Sequence, residues 1–299
     1  MRHIEAAIRH FERDIPDQDF YTDTIYRTNQ AFEGSLKEAY RILAEQDPSG
    51  VSPHQIEVYL EQNHVIRERV LTQLKRYRQD YRNPSTHDHK LDFDEDEALL
   101  AIVSVCAFAK LLIDQISQKL AFDAASSVEQ NENFGYNTAK LLQFVLEKTK
   151  IYAEENFGWL LSSEITGKLA GTLSGSGAEI ILDAPQPDGT LWDILLSKGN
   201  YRIAIEIRRV SQRLAKSSFY SFHYAVDGLK DPENDIAVVL FKYQNRSSYK
   251  VYKTKCNGFD VYLLTHFPIN SINKYNKEGF KFEDVKISDI SQVNHRFQK

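Results

Sequence analysis

The 299-residue chain reads as multidomain α plus α/β, an N-terminal helical bundle over residues 1–130 followed by a mixed-sheet domain over residues 131–299. Three observations predict this. Apolar residues recur at helical spacing through roughly the first 120 positions. From about residue 179 the pattern shortens to runs of four to eight residues rich in Ile, Val, Leu, Phe and Tyr, separated by turn residues. Charge divides the same way: residues 1–150 hold 18 Lys and Arg against 25 Asp and Glu (−7), and residues 151–299 hold 19 against 17 (+2).

Ile4, Ile8, Phe11 and Ile15 share one helical face before Pro16. A second helix, over about 20–46, is read from Ala31, Leu36, Ala39, Tyr40 and Leu43, and Asp47-Pro48-Ser49-Gly50 ends it. Ser52-Pro53-His54-Gln55 combines an N-cap serine, a proline at the first helical position and a glutamine three residues after the cap. A third helix starts there, with Ile56, Tyr59, Leu60, Ile66, Val70, Leu74 and Tyr77 as its inner stripe. Pro84 biases Asn83 away from helical geometry, so this helix is predicted to stop near Arg82. A fourth opens after Asp92 or Asp94, with acids 94–97 on its positive end and an apolar run over 98–120.

Residues 121–133 read as a polar connector and 136–152 as a helix with Leu141, Leu142, Val145 and Leu146 inward. Strands are predicted at 179–182, 190–196, 203–207, 236–243 and 259–265, with a helix within 215–229. The Gly/Ser-rich stretch 171–178 reads as a flexible loop, because it opens a strand and lacks the Lys-Ser/Thr of a phosphate-cradling loop.

Composition narrows the function classes. Charged residues make up 26% of the chain and no uninterrupted run of eighteen apolar residues occurs, which predicts no membrane-spanning helix and no membrane partner. Arg2, His3, Glu5, Glu12 and Arg13 leave no apolar leader near Met1, so a cytoplasmic protein is expected. Cys106 and Cys256, far apart, support neither a disulfide framework nor a zinc site. The net charge of −5 argues against coating nucleic acid by bulk electrostatics, so any such contact must be local.

The first such locality is Arg82-Asn83-Pro84-Ser85-Thr86-His87, at the expected junction of two helices. An imidazole can take the proton from an RNA 2′-hydroxyl while a forked, permanently charged guanidinium holds the phosphate, which would cut RNA and spare DNA. The arrangement, between a long helix and the apolar helix that follows, resembles the signature of the HEPN superfamily over residues 20–121. That resemblance implies a metal-independent, cofactor-free endoribonuclease, usually a homodimer, in toxin or antiviral defence settings with a neutralising or regulatory protein. Carried over, Arg82 and His87 would be catalytic and Asn83 would shape the site. Arg67, Arg69, Lys75, Arg76, Arg78 and Arg82, interleaved with Tyr77 and Tyr81, form either a track for RNA phosphate, carried by Lys75, Arg76, Arg78 and Tyr81, or a solvated helix face.

The second locality pairs Asp193, in Leu191-Trp192-Asp193-Ile194, with Glu206, in Ile205-Glu206-Ile207-Arg208. Antiparallel strands joined through Lys198-Gly199-Asn200 would bring both carboxylates to one end of a sheet, where they suit Mg²⁺. With the element order, this resembles the PD-(D/E)xK core of restriction endonucleases. Asp193 and Glu206 would be its two acids, assisted by Glu164 or Glu179, and Arg208 stands where the family has lysine. Lys242, Arg246, Lys250, Lys253 and Lys255 with Tyr243, Tyr249 and Tyr252 make a basic-aromatic patch that fits nucleic acid or an edge strand protected against aggregation.

The leading expectation is therefore an RNA-cutting enzyme using Arg82 and His87, with the second domain recognising substrate or trigger. A Mg²⁺-dependent DNA endonuclease using Asp193, Glu206 and Arg208, dimerised through the helical domain, stands beside it, as does a non-catalytic binding module.

Overall fold

The computed structural model describes residues 2–12, 18–87, 93–127, 137–155, 161–186, 190–210, 214, 216–243, 246 and 248–290, without the side chains of Gln18, Thr86, His87 and Lys216. Ile15, Pro16, Asp92 and residues 128–133 of the connector expected over 121–133 lie outside these residues, while residues 121–126, expected in that connector, continue a helix instead. Two units separate, Met1–Leu120 and Ala121–Lys299.

The first unit is helical: α1 Arg2–Phe11, α2 Gln18–Ile42, α3 Pro53–Gln62, α4 Glu68–Tyr77, α5 Asn83–His87 and α6 Glu95–Ser126, whose last turn passes the boundary. Ser52 and Gln55 close the anticipated capping box at α3, the Gln55 amide donating to Ser52 Oγ at 3.3 Å and the Ser52 amide to Gln55 Oε1 at 3.0 Å. At α6, Asp94 and Glu97 exchange the same pair of bonds at 2.8 and 3.1 Å. Ile25, Phe32, Leu36, Ile56, Leu60, Val70, Leu74, Tyr77, Val105 and Phe108 fill the core, with the Phe32 ring 4.8 Å from Tyr77 and 5.1 Å from Phe108.

Three expectations fail here or are corrected in detail. The single helix expected from Ser52 to Arg82 is broken at residues 63–67: Asn63 caps α3 and His64 turns left-handed, at φ 52°. Ile66 still reaches the interior, so one apolar stripe continues across two helices. At the other end the helix does not stop at Arg82, as described below. Third, α6 is by length and composition long and apolar enough to cross a membrane, with an eighteen-residue window of mean hydropathy 2.0. Isolated polar residues, Ser104 and Lys110, interrupt its apolar run without lowering that mean much. Its inner face, Ala98, Ala101, Val105, Phe108 and Leu112, is buried, while Leu99, Leu100, Val103 and Ile113 are exposed.

The second unit is built on a seven-stranded mixed sheet. Its elements are α7 Thr138–Glu154, α8 Ser162–Leu173, β1 Glu179–Pro185, β2 Leu191–Lys198, β3 Tyr201–Arg209, α9 Tyr220–Val226, β4 Asp235–Lys242, β5 Lys250–Cys256, β6 Phe259–Thr265, α10 Ile269–Tyr275, β7 Glu283–Val285 and α11 Ile287–Ile290. The strands lie in the order β1-β2-β3-β4-β6-β5-β7, with β3, β4 and β6 parallel and the other neighbours antiparallel. Val238, Val239 and Leu240 on β4 are wholly buried, as a central parallel strand covered on both faces requires. One core joins α7 and α8 to Ile194, Leu196, Ile203 and Ile205. The other joins α9 and α10 to Trp192, Leu195, Ala204 and Val239.

The stretch 171–178 is not the expected flexible loop. Gly171 lies inside α8, Ser174–Ser176 form a 3₁₀ turn, and Gly175 and Ser176 are buried. Gly171 serves close packing: a Cβ there would stand 2.4 Å from the Phe122 carbonyl oxygen and 2.7 Å from Ala125 Cβ. Gly171→Ala is expected to lower stability by about 1–3 kcal/mol through overpacking, read from the urea midpoint.

Candidate functional site

The Arg82–His87 segment is helical rather than a turn between helices. α4 runs into a π-helical turn, Arg78–Arg82, and then directly into α5. Asn83 has helical angles (φ −68°, ψ −47°) and its amide donates to the Arg78 carbonyl, five residues back. That widening explains why Pro84 does not end the helix: a proline ring clashes with the carbonyl four residues earlier, and a π turn alters the spacing just there.

The turn is anchored by polar groups. Asn29 Nδ2 donates to Ser85 Oγ at 2.7 Å, and Ser85 Oγ donates to the Arg82 carbonyl at 3.1 Å. The Tyr77 hydroxyl sits 2.9 Å from Asn29 Oδ1 and 2.7 Å from Thr28 Oγ1. Burial raises the Tyr77 phenol well above its ordinary range, so it remains a neutral donor. Arg82 Nη1 donates to Asn83 Oδ1 at 3.3 Å, and Nη2 lies 3.8 Å from Glu33 Oε1.

Arg82 and His87 lie five positions apart, about 7.5 Å along the axis and about 140° around it at α-helical spacing. The His87 side chain, with Asp88 and His89, lies outside the described residues. Of the basic track, Lys75 pairs with Glu61 at 2.7 Å and Arg78 with the buried Glu57 at 2.7 Å, whereas Arg76 is exposed. The Tyr81 ring lies 5.5 Å from that of Tyr77.

The acids of the second unit fall in one row across three strands. The β2–β3 register ends at Ile194↔Ile205, and its next step sets Asp193 opposite Glu206. On the other side, Asp183 occupies the unpaired position opposite Asp193, between Leu182↔Ile194 and Ala184↔Trp192. Asp183 has φ 47°, and alternation inverts at this row: Leu182 and Ile194 pack on the α7/α8 side, whereas Ala184 and Trp192 pack on the α9 side. A one-residue irregularity of this kind locally ends pairing and re-aims side chains. Asp193 takes up the freed backbone bond, its Oδ2 accepting from the Ile207 amide at 2.6 Å.

Burial pushes the Asp193 carboxyl up to about 6; the charge of Asp183 adds to this, and the Ile207 amide and Arg208 oppose it. Burial also raises Glu206, to about 8, with the Asp193 charge adding and Arg208 opposing. Two such carboxyls are adverse together when both are ionised, and titrate as a pair. A proton or an oxygen-seeking cation relieves that repulsion, and the all-oxygen donor set suits Mg²⁺. Among the described residues no three His, Cys, Asp or Glu side chains form a ready metal cage. Mg²⁺ held by one or two carboxylates and substrate phosphate needs none.

Arg208 is the cation that acts on both acids. Lys242 does not stand in for the missing lysine. It extends the α7/α8-facing residues Val238 and Leu240 of β4, and its ammonium donates to the Ala153 and Glu155 carbonyls. Glu206 follows Ala204 on the α9 side. Neither proposed assistant joins the row by position: Glu164 accepts the Leu161 amide at 2.7 Å at the start of α8, and Glu179 pairs with Ser197, four residues along β1 from Asp183. Asp183 was missed because its place opposite Asp193 depends on β1–β2 register, which no local pattern signals.

In the basic-aromatic patch, Lys253 and Lys255 are tied to Asp260 at 2.6 and 2.9 Å, while Arg246 lies 5.7 Å from the Tyr243 ring. No protein-family model matches this chain, and no curated protein matches it.

Proposed function

We propose that the second unit is the core of a Mg²⁺-dependent DNA endonuclease of the PD-(D/E)xK, restriction-endonuclease-like class, with Asp193 and Glu206 as its acids and Arg208 in the lysine position. The observation that carries this is the row itself: two partly buried carboxyls on adjacent strands at the point where pairing opens, within the order α8–β1–β2–β3–α9–β4 and with β3 parallel to β4.

Asp193, held by the Ile207 amide, and Glu206 would hold the cation, which would supply an activated water and polarise the phosphodiester. Burial keeps the local dielectric low, so each charge in the row acts strongly on the others. Arg208 would bind a phosphate oxygen and offset charge developing on it. Because its guanidinium does not give up a proton, it would not serve as a base.

A second reading, metal-independent RNA cleavage through Arg82, Asn83 and His87 of a HEPN-like unit, is favoured by the π turn ending at Arg82, since such turns concentrate at functional sites. One experiment separates the two. Supercoiled DNA and a structured RNA are incubated with wild type, Glu206→Gln and His87→Ala, in Mg²⁺ or EDTA. The DNA reading expects cleavage in Mg²⁺ only, lost in Glu206→Gln and retained in His87→Ala. RNA cleavage in EDTA that His87→Ala abolishes would replace it with the second reading. If neither substrate is cut, both readings fail and a binding module remains.

A further inference from the structure

The first unit is acidic overall, yet one cleft in it is lined by three arginines and two histidines. Arg2, His3, Ala6, Arg9 and His10 of α1 and Arg27 of α2 enclose an open volume of about 570 Å³. The sequence pattern explains the lining. Positions 2, 3, 6, 9 and 10 follow helical spacing and form one face of α1, and Ala7, at the edge of that face, has zero exposure. The Thr24 hydroxyl of α2 lies 3.4 Å from the Ala7 carbonyl and the Phe11 and Tyr21 rings lie 6.3 Å apart, which seats α1 on α2. Arg27 then reaches the cleft from the second wall.

Arg2, Arg9 and Arg27 make no ion pair among the described residues; the one polar contact of Arg27 is with Gln30 Oε1, at 3.2 Å. Asp23 Oδ2 lies 4.0 Å from His10 Nδ1. Three forked guanidiniums, each a donor without an acceptor, and two imidazoles that can each donate from a ring nitrogen face one open volume, a donor-rich surface that suits tetrahedral oxyanions. The distance also selects. Arg2 and Arg9 are seven residues apart, about 10 Å along the helix axis, a span that one anion fills poorly and a run of anions fills well.

We infer that the α1/α2 cleft is a binding site for consecutive phosphate groups, carried either by a nucleotide polyphosphate or by a nucleic-acid strand. It is independent of the acid row in the second unit and needs no metal.

The test uses the full chain in EDTA at low salt, so that metal-dependent cleavage plays no part. Probes are inorganic phosphate, tripolyphosphate, ATP, and labelled single-stranded RNA and DNA 12-mers, followed by calorimetry and fluorescence anisotropy. At least one consecutive-phosphate probe is expected to bind tenfold or more tightly than inorganic phosphate, and the triple variant Arg2→Gln/Arg9→Gln/Arg27→Gln to lose at least tenfold in that affinity. Ala6→Glu, which places a carboxylate in the wall without touching the arginines, is expected to weaken binding in the same direction and guards against misfolding of the triple variant. If the strand is the ligand, the log–log salt slope should fall by about 2 in the triple variant, at about 0.7 per lost phosphate contact. Preference for ATP and tripolyphosphate over the 12-mers assigns the free polyphosphate, and the reverse assigns the strand. Wild-type affinity in both variants, or no probe bound more tightly than inorganic phosphate, would overturn the proposal.

Discussion

Replacing Asp193 by asparagine is expected to reduce the proposed Mg²⁺-dependent DNA cleavage by at least about 10²-fold while leaving the fold intact and raising the melting temperature above neutral pH. The two effects share a cause. The asparagine side chain would keep an oxygen for the Ile207 amide but remove a partly buried charge whose neighbours are Asp183 and Glu206. The direction with pH follows from linkage. Asp193 and Glu206 are raised on folding, so the native state binds protons more tightly than the unfolded chain. Their contribution to stability is complete below the unfolded carboxyl range, near pH 4, and is lost as pH rises through about 6 and about 8. Wild-type melting temperature should therefore fall between pH 5 and 8.5 in EDTA, less so in Asp193→Asn, which should melt on the order of 3 °C higher at pH 8. Mg²⁺ should recover much of the wild-type loss and little of the variant's. Equal pH profiles in wild type and variant would show that the row is not the coupled, cation-seeking pair described.

Asp235→Ala is expected to cost about 3–5 kcal/mol, the scale for removing one partner of a buried ion pair. Asp235 is 1% exposed at the start of β4. Arg202 Nε donates to its Oδ1 at 2.9 Å and Nη2 to its Oδ2, while the Lys230 and Asp231 amides donate to Oδ2 at 2.8 and 3.0 Å. One carboxylate thus ties β3 to β4 and closes the turn that returns the chain from α9. Burial alone would raise its pKa, but the Arg202 hydrogen bonds, the two amides and the Arg202 charge hold it below the ordinary carboxylate value. A lowered carboxyl contributes stability above the unfolded pKa, near 4, and loses it as pH falls through the folded value. Denaturant midpoints at pH 7 and pH 3 should therefore separate wild type from Asp235→Ala widely at pH 7 and much less at pH 3.

The features legible in the sequence are those encoded within a few residues. The Ser52–Gln55 box, the acid-capped start of α6 and the apolar runs of β1 to β4 and β6 each carry their own signal. The short Lys198-Gly199-Asn200 link made Asp193 and Glu206 neighbours almost by necessity, because a hairpin that tight leaves little freedom of register. The β5–β6 hairpin was legible too, though only β6 is among the expected strands: Asn257 and Gly258 take φ 50° and 89°, the two left-handed residues of a tight turn that Asn-Gly favours.

By itself, then, the sequence determined the class of fold and the pairing of the two acids, since periodicity, caps and tight turns are local free-energy preferences. Only tertiary structure decided the rest. Pro84 predicted a stop that the π turn avoids, and the placement of Asp183 beside Asp193 required β1 to lie along β2. The cationic cleft needed Arg27, seventeen residues beyond His10, to be brought to α1. Such juxtapositions arise from packing between segments distant along the chain, and a backbone or side-chain preference at one position does not specify them.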